Sequence, residues 1–275
     1  MDDAHAAPAA PPPRSLVSPG APPPEAWTQL RRFTAARLAL SRTGGSVPLA
    51  AALDFRLAHA RARDAVHTPF DAGALAGALR EAGHKTTRLA TRARDRATYL
   101  QRPDLGRHLD RESVAVLAQL REDTPPADIA LIVSDGLSAL AIERHGATTI
   151  LALQAHLANF GWRVAPIFIV PFARVKLQDQ IGELLGVRHT VMVLGERPGL
   201  GAPDSLGAYF TYQPRAACRD ADRNCVSNIR TAGLSPVAAA TKLAQLLAES
   251  AHLGYSGVRL KDTALPPLPA PSGRS

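Results

Sequence analysis

The chain has 275 residues, 46% of them hydrophobic, and a formal net charge of +8, which is enough apolar material for one large or two smaller packed cores and too much for a disordered protein. No apolar run approaches the ~20 residues that cross a bilayer, and the first residues lack a basic segment followed by an apolar one, so neither a membrane span nor an exported precursor is expected. Residues 25–112 carry 16 basic against 9 acidic side chains and residues 113–275 carry 15 against 13, so the basic excess sits in the first half and is not a whole-chain signature of nucleic-acid binding.

Residues 1–24 are dominated by Ala, Pro and Ser, whose repeated prolines remove backbone donors, and a disordered tail is expected there. From Glu25 the period turns helical, with Trp27, Leu30, Phe33, Ala36 and Leu40 on one side. A second helix is expected with Pro48 in its first turn and Thr68-Pro69 as its stop; a third runs from an Asp71 cap to Gly83. The arginine-dense run "RLATRARDR" (88–96) has no interleaved aromatics, which suits a solvated helix face or one meeting an acidic partner better than nucleic acid. These segments predict a small all-helical N-terminal domain over 25–110.

Beyond it the pattern changes. A helix near Arg111–Leu120 leads to "DIALIVSDGLS", then come the helix "TTILALQAHLANFGW", the strand "VAPIFIV", the helix "KLQDQIGELLG" and the strand "HTVMVLG". Strands alternating with helices over short connections predict an α/β domain over 111–262: a Rossmann-like, doubly wound, mostly parallel sheet. "LGAYFTY" adds a strand-like run, "DADRNCVSNIRTAG" is a polar segment, Ser235 and Pro236 open a last helix, and "GVRLKD" is a final strand or edge. Residues 263–275 are a flexible Pro-rich end.

In such sheets ligands sit outside the carboxyl ends of the strands, which selects Ser134–Ser138, Phe172–Val175, Gly195–Gly201 and the "DRNCVSNIR" loop. Gly195, Gly199 and Gly201 form G-x-x-x-G-x-G, which matches neither a dinucleotide nor a P-loop fingerprint. Close backbone approach to a flat ligand and an ordinary tight turn both remain open. "SDGLS" suits a helix cap or a ligand's polar rim. His145 has no second ligand at metal spacing and is expected as a capping or surface histidine, and no G-x-S-x-G elbow supports a serine triad. Cys218 and Cys225, six residues apart, match no zinc or redox motif and are expected as reduced thiols in a cytoplasm.

Five blocks in order, "YLQRPDLGRHL", "LIVSDGLSALAI", "ARVKLQDQIGELLG", "VLGERPGLGAPDSLGAYFTYQPR" and "DRNCVSNIRTAGLSPVAAATKL", resemble the small (light) subunit of ethanolamine ammonia-lyase, over about residues 27–262. The resemblance implies an adenosylcobalamin-dependent carbon–nitrogen lyase that converts ethanolamine to acetaldehyde and ammonia by radical chemistry. It implies a large TIM-barrel partner subunit that carries the catalytic residues, in a higher-order oligomer of large/small pairs. In this chain it points to Val175, Glu196 and Cys225 as cobalamin contacts, with Arg174, Asp135 and Asn228 behind them, on a shallow and mainly uncharged seat. No catalytic residue and no cobalt ligand is expected from this chain: there is no D-x-H-x-x-G run, so the tail base is expected to stay on cobalt. The location expected is cytoplasmic. A bacterial microcompartment is the other compartment the family uses, but residues 1–24 lack the amphipathic targeting helix. A free-standing nucleotide-binding Rossmann-like enzyme is the alternative, and a nucleic-acid-binding module a third reading.

Overall fold

A computed structural model of the chain describes residues 49–262 together with Gln29, Leu30 and Phe33. The tail over 1–24, most of the helix expected after Glu25, and residues 263–275 lie outside the described residues. Two compact units divide between Leu53 and Asp54, inside the first described helix, and the sheet with its cores belongs to the second.

The predicted helices form where their stops and caps place them. Helix α1 spans Leu49–His67, and α2 spans Ala72–Glu81 with Asp71 accepting from the Ala74 amide. Strand β1, Thr86–Arg88, follows, then α3, Arg96–Gln101. Helix α4 is Arg111–Asp123 and strand β2 Ile129–Ser134. Helix α5, Ala139–Ala141, passes through a π turn at Ile142–Gly146 into α6, Ala147–Asn159. Strand β3 is Ile167–Ile169, α7 Leu177–Leu185, β4 His189–Gly195, β5 Leu206–Tyr212, β6 Arg223–Ile229 and α8 Pro236–Leu253. No described helix is long and apolar enough to cross a membrane.

The six strands lie in the order β1-β3-β2-β4-β5-β6. The first four are mutually parallel; β5 runs antiparallel to β4, and β6 antiparallel to β5. The protein is therefore α/β with a mixed sheet. Strand β2 is buried along its whole length, as its unbroken apolar run requires of a central parallel strand. Its Ile129, Leu131 and Val133 face Leu75 and Leu79 of α2, Leu153 of α6 and Leu243 and Leu247 of α8. Its Ala130 and Ile132 face the other way, with Phe168 and Met192, onto Leu117 of α4 and Leu177 and Ile181 of α7.

Four expectations change. Residues 54–110 are not a separate helical domain: they belong to the same compact unit as the sheet, and Thr86–Arg88 is its edge strand, paired with Ile167–Ile169. "RLATRARDR" is correspondingly no helix face but the end of β1, an extended stretch and the start of α3. The polar segment after Asp220 is strand β6, while "GVRLKD" is no strand but a 3₁₀ turn, Gly257–Arg259.

Candidate functional site

Among the described residues, α2, α6 and α8 pack on one face of the sheet, and α4 and α7 pack on the other, over the parallel strands. The β5–β6 ribbon is left without a helix on that face. A cleft of about 740 Å³ opens there, lined by Pro103, Arg107, His108, the segment Arg174–Lys176, Tyr209, Cys218–Asp220, Arg223 and Cys225. A volume of this order is that of a cofactor site.

Val175 and Cys225 thus stand in one cleft; Glu196 is not among the residues lining it, but its carboxylate lies beside Tyr209, which is. Cys225 lies across the ladder from Tyr209. The Glu196 carboxylate lies over Gly207: a Cβ there would meet both Glu196 Oε1 and Tyr209 Cε2 at 3.0 Å. Ser205 Oγ donates to Glu196 Oε2 at 2.5 Å and the Asn228 amide donates to it at 3.3 Å. Cys225 is a mid-strand residue rather than a loop residue, so the site occupies the face of the ribbon as well as the carboxyl ends of the strands.

The electrostatics follow from crowding. Protein atoms packed around Cys225 push its thiol up to about 11, the Tyr209 hydroxyl lowers it in part, and the Glu196 charge raises it further. Burial likewise pushes Tyr209 well above the usual phenol range, helped by Cys225, Glu196 and Asp220. Both groups are neutral donors at physiological pH.

The cleft is more basic than the seat expected from sequence, but three of its six basic side chains are already engaged. Arg174 lies 4.1 Å over the Tyr99 ring and donates to the Tyr99 carbonyl at 2.9 Å. Lys176 and Arg223 both pair with the buried Asp179, and Arg223 also with Asp220. Burial raises Asp179, and those two cations offset part of the rise. Arg107, His108 and Arg219 remain to face the opening.

The other sequence candidates go elsewhere. Ser138 caps α5 by accepting from the Ala141 amide. Asp135, at the end of β2, is buried against Arg96, which donates to Asp135 Oδ2 at 3.0 Å, to the Gly136 carbonyl at 2.6 Å and to the Val66 carbonyl at 2.7 Å. That guanidinium lies at the carboxyl end of β2, the side on which an open α/β sheet would take a nucleotide. Gly195 is required by packing, since a Cβ there would lie 2.1 Å from the Ser138 carbonyl oxygen; Gly199 and Gly201 meet nothing closer than 3.9 Å. His145 is neither a cap nor a surface residue but is buried beside Asp204. Sequence reasoning passed over Tyr209 and Gly207, whose only signal was the aromatic of a strand standing opposite Cys225.

The family model described as ethanolamine ammonia-lyase light chain (EutC) matches residues 24–261. The chain belongs to that family. Ethanolamine ammonia-lyase small subunits similar to it include that of Azotobacter vinelandii, 52% identical with 86% of this chain and 88% of the relative covered. That of Ralstonia nicotianae is 51% identical over 88% and 90%, and that of Pseudomonas syringae pv. tomato 48% identical over 92% and 88%. The chain is a subunit of a carbon–nitrogen lyase, and this light chain spans nearly the full length of those relatives.

Proposed function

We propose that the chain is the cofactor-holding small subunit of an ethanolamine ammonia-lyase, working with a large TIM-barrel subunit that supplies the catalytic residues, in an assembly of several such pairs. Its sheet is read as Rossmann-like with an antiparallel extension, and the N-terminal section over residues 25–110 as a contact to the large subunit. Adenosylcobalamin, when bound, supplies the radical that starts the reaction.

One observation supports this reading above the others: Val175 and Cys225 line one cleft with Tyr209, and the Glu196 carboxylate lies beside Tyr209 over Gly207, although the three are far apart in sequence. A corrinoid presents amide donors, amide acceptors and a phosphate-bearing tail, and the residues present fit it. Glu196 accepts, the neutral Cys225 thiol and Arg107, His108 and Arg219 donate, and Val175 with Pro103 gives apolar cover. The Nε atoms of Arg174 and Arg223, buried at the cleft wall, have no hydrogen-bond partner among the described residues. This chain's part is to bind, orient and exclude water; it moves no proton of the reaction. The nucleotide-enzyme alternative loses support because Arg96 lies at the carboxyl end of β2, the side it needs.

The test is retention of cobalamin by the complex of this chain with its large subunit, followed by visible absorbance. Glu196→Ala is expected to weaken retention about tenfold, the worth of a hydrogen bond to a charged group. Undiminished retention would remove Glu196 from the site.

A further inference from the structure

We propose that Asp204 is a positioning residue for Glu196, a latch that fixes the Gly195–Ser205 loop in the form that presents the Glu196 carboxylate to the cleft. The inference rests on the reading of Glu196 as a cofactor contact.

Among the described residues, the hydrogen bonds of Glu196 come from its own loop and β6: Ser205 Oγ and the Asn228 amide hold its carboxylate, and its amide donates to the Ser205 carbonyl at 2.9 Å. Of its two holders Ser205 is the closer, so the geometry of the carboxylate depends strongly on where Ser205 is held. The adjacent residue, Asp204, ties the loop to the body of the protein. Its Oδ2 accepts from Arg144 Nη1 at 2.9 Å and lies 3.4 Å from His145 Nε2. Both partners stand on the π turn Ile142–Gly146, an irregularity of a kind that recurs at functional sites. Here it brings two neighbouring side chains to one carboxylate. Pro203, one residue earlier, is held by Ser138 Oγ at 2.8 Å through its carbonyl. Three consecutive residues thus carry the load: Pro203 and Asp204 anchor the loop, and Ser205 transmits the anchorage to Glu196. Partial burial works against the charge on Asp204, yet the hydrogen bonds from Arg144 and His145 outweigh it and hold the carboxyl below its usual range. The latch is therefore charged whenever the protein is at neutral pH.

The experiment uses the complex with the large subunit and two readouts: hydrogen exchange of peptides covering 195–205 without cobalamin, and cobalamin retention. Asp204→Asn is expected to speed exchange of the loop and to weaken retention by roughly fivefold. Arg144→Gln should do the same to a smaller degree because His145 remains, and Asp204→Glu should restore both. In a Glu196→Ala background, Asp204→Asn should cause no further loss of retention, since its effect passes through that carboxylate. Loop exchange unaffected by Asp204→Asn and by Arg144→Gln overturns the proposal, as do retention losses that multiply in the double variant. A Glu196→Ala complex that keeps its cobalamin sinks the cofactor reading and this inference together, and is told apart by the exchange data, which do not depend on the cofactor.

Discussion

Gly195 and Gly207 show how two glycines of one neighbourhood answer different demands. At Gly195 the demand is internal: strand β4 ends against the β2–α5 turn, and a methyl group would strike the Ser138 and Asp135 carbonyl oxygens at 2.1 and 2.6 Å. Gly195→Ala is expected to destabilise by about 3 kcal/mol, read from the denaturant midpoint. At Gly207 the methyl would instead push the Glu196 carboxylate, the mobile end of a side chain. Gly207→Ala should leave the midpoint within about 1 kcal/mol while lowering cobalamin retention. Cys225 gives a third residue-scale test. With its thiol raised to about 11, alkylation in a Cys218→Ser background should still be climbing ~tenfold per pH unit between pH 8 and 10, followed by mass spectrometry. A plateau by pH 9 would show an ordinary, unshielded thiol. Of these features the sequence exposed the residue types but not their purposes: the spacing of Gly195, Gly199 and Gly201 suggested an approach to ligand, whereas the contact that demands a glycine comes from a turn 60 residues earlier.

Elements whose signals are local were legible before any fold was known. Ser235 and Pro236 open α8 as their sequence states, with Ser235 Oγ accepting from the Ala238 amide. Ser235→Ala is expected to cost about 1 kcal/mol, a fall in Tm of about 2–4 °C. Strand β1 was illegible for the opposite reason. Thr86–Arg88 is short, polar and without an apolar period, and it is a strand only because β3 offers it a parallel edge. Strand β6 hid in the same way, its apolar side limited to Val226 and Ile229. Strand β4 carries a further test at its first residue. His189 is fully buried, stacked on Trp162 at 5.1 Å and edge-on to Tyr212 at 5.0 Å. Burial, with the nearby Arg188 charge, lowers it to about 3. An unfolded histidine takes its proton near 6.5 and the folded one refuses it until about 3, so protonation favours unfolding across that window. Stability should be complete above pH 6.5 and fall by a few kcal/mol towards pH 3. His189→Phe keeps the ring stack, leaves Ser250 its bond to the Tyr255 carbonyl, and should flatten that slope in urea titrations at pH 4 to 7.

At the scale of the whole molecule the two ends of the sheet divide the labour. The end where the parallel strands begin has a cavity of about 590 Å³ lined by His84, Lys85, Arg121 and Arg163. Helices α2, α4, α6 and α7 finish there, and their free carbonyl ends attract cations; Arg121 donates to the Leu184 carbonyl at 3.2 Å. Those charges are accounted for by the fold. The other end would hold a nucleotide in a simple α/β sheet, and that expectation was the runner-up drawn from sequence. The local glycine pattern already weighed against it, but the structural contact that adds to that is not local: it joins Arg96 to residues 30 positions before it and 39 and 40 after it. Arg96 supplies the counter-charge to Asp135, a carboxylate only 1% exposed. Arg96→Met should therefore strand a buried carboxylate and cost about 3 kcal/mol, since Asp135 keeps its bond from the Phe172 amide. Asp135→Asn added to it should recover part of that loss, whereas the same substitution alone should destabilise. Neither variant should bind NAD or ATP in calorimetry, because vacating one guanidinium leaves that end of the sheet without the glycine-rich turn that phosphates need. Nucleotide binding by Arg96→Met would mean that a nucleotide site lies latent beneath the side chain, and would reopen the enzyme reading that Arg96 now weighs against.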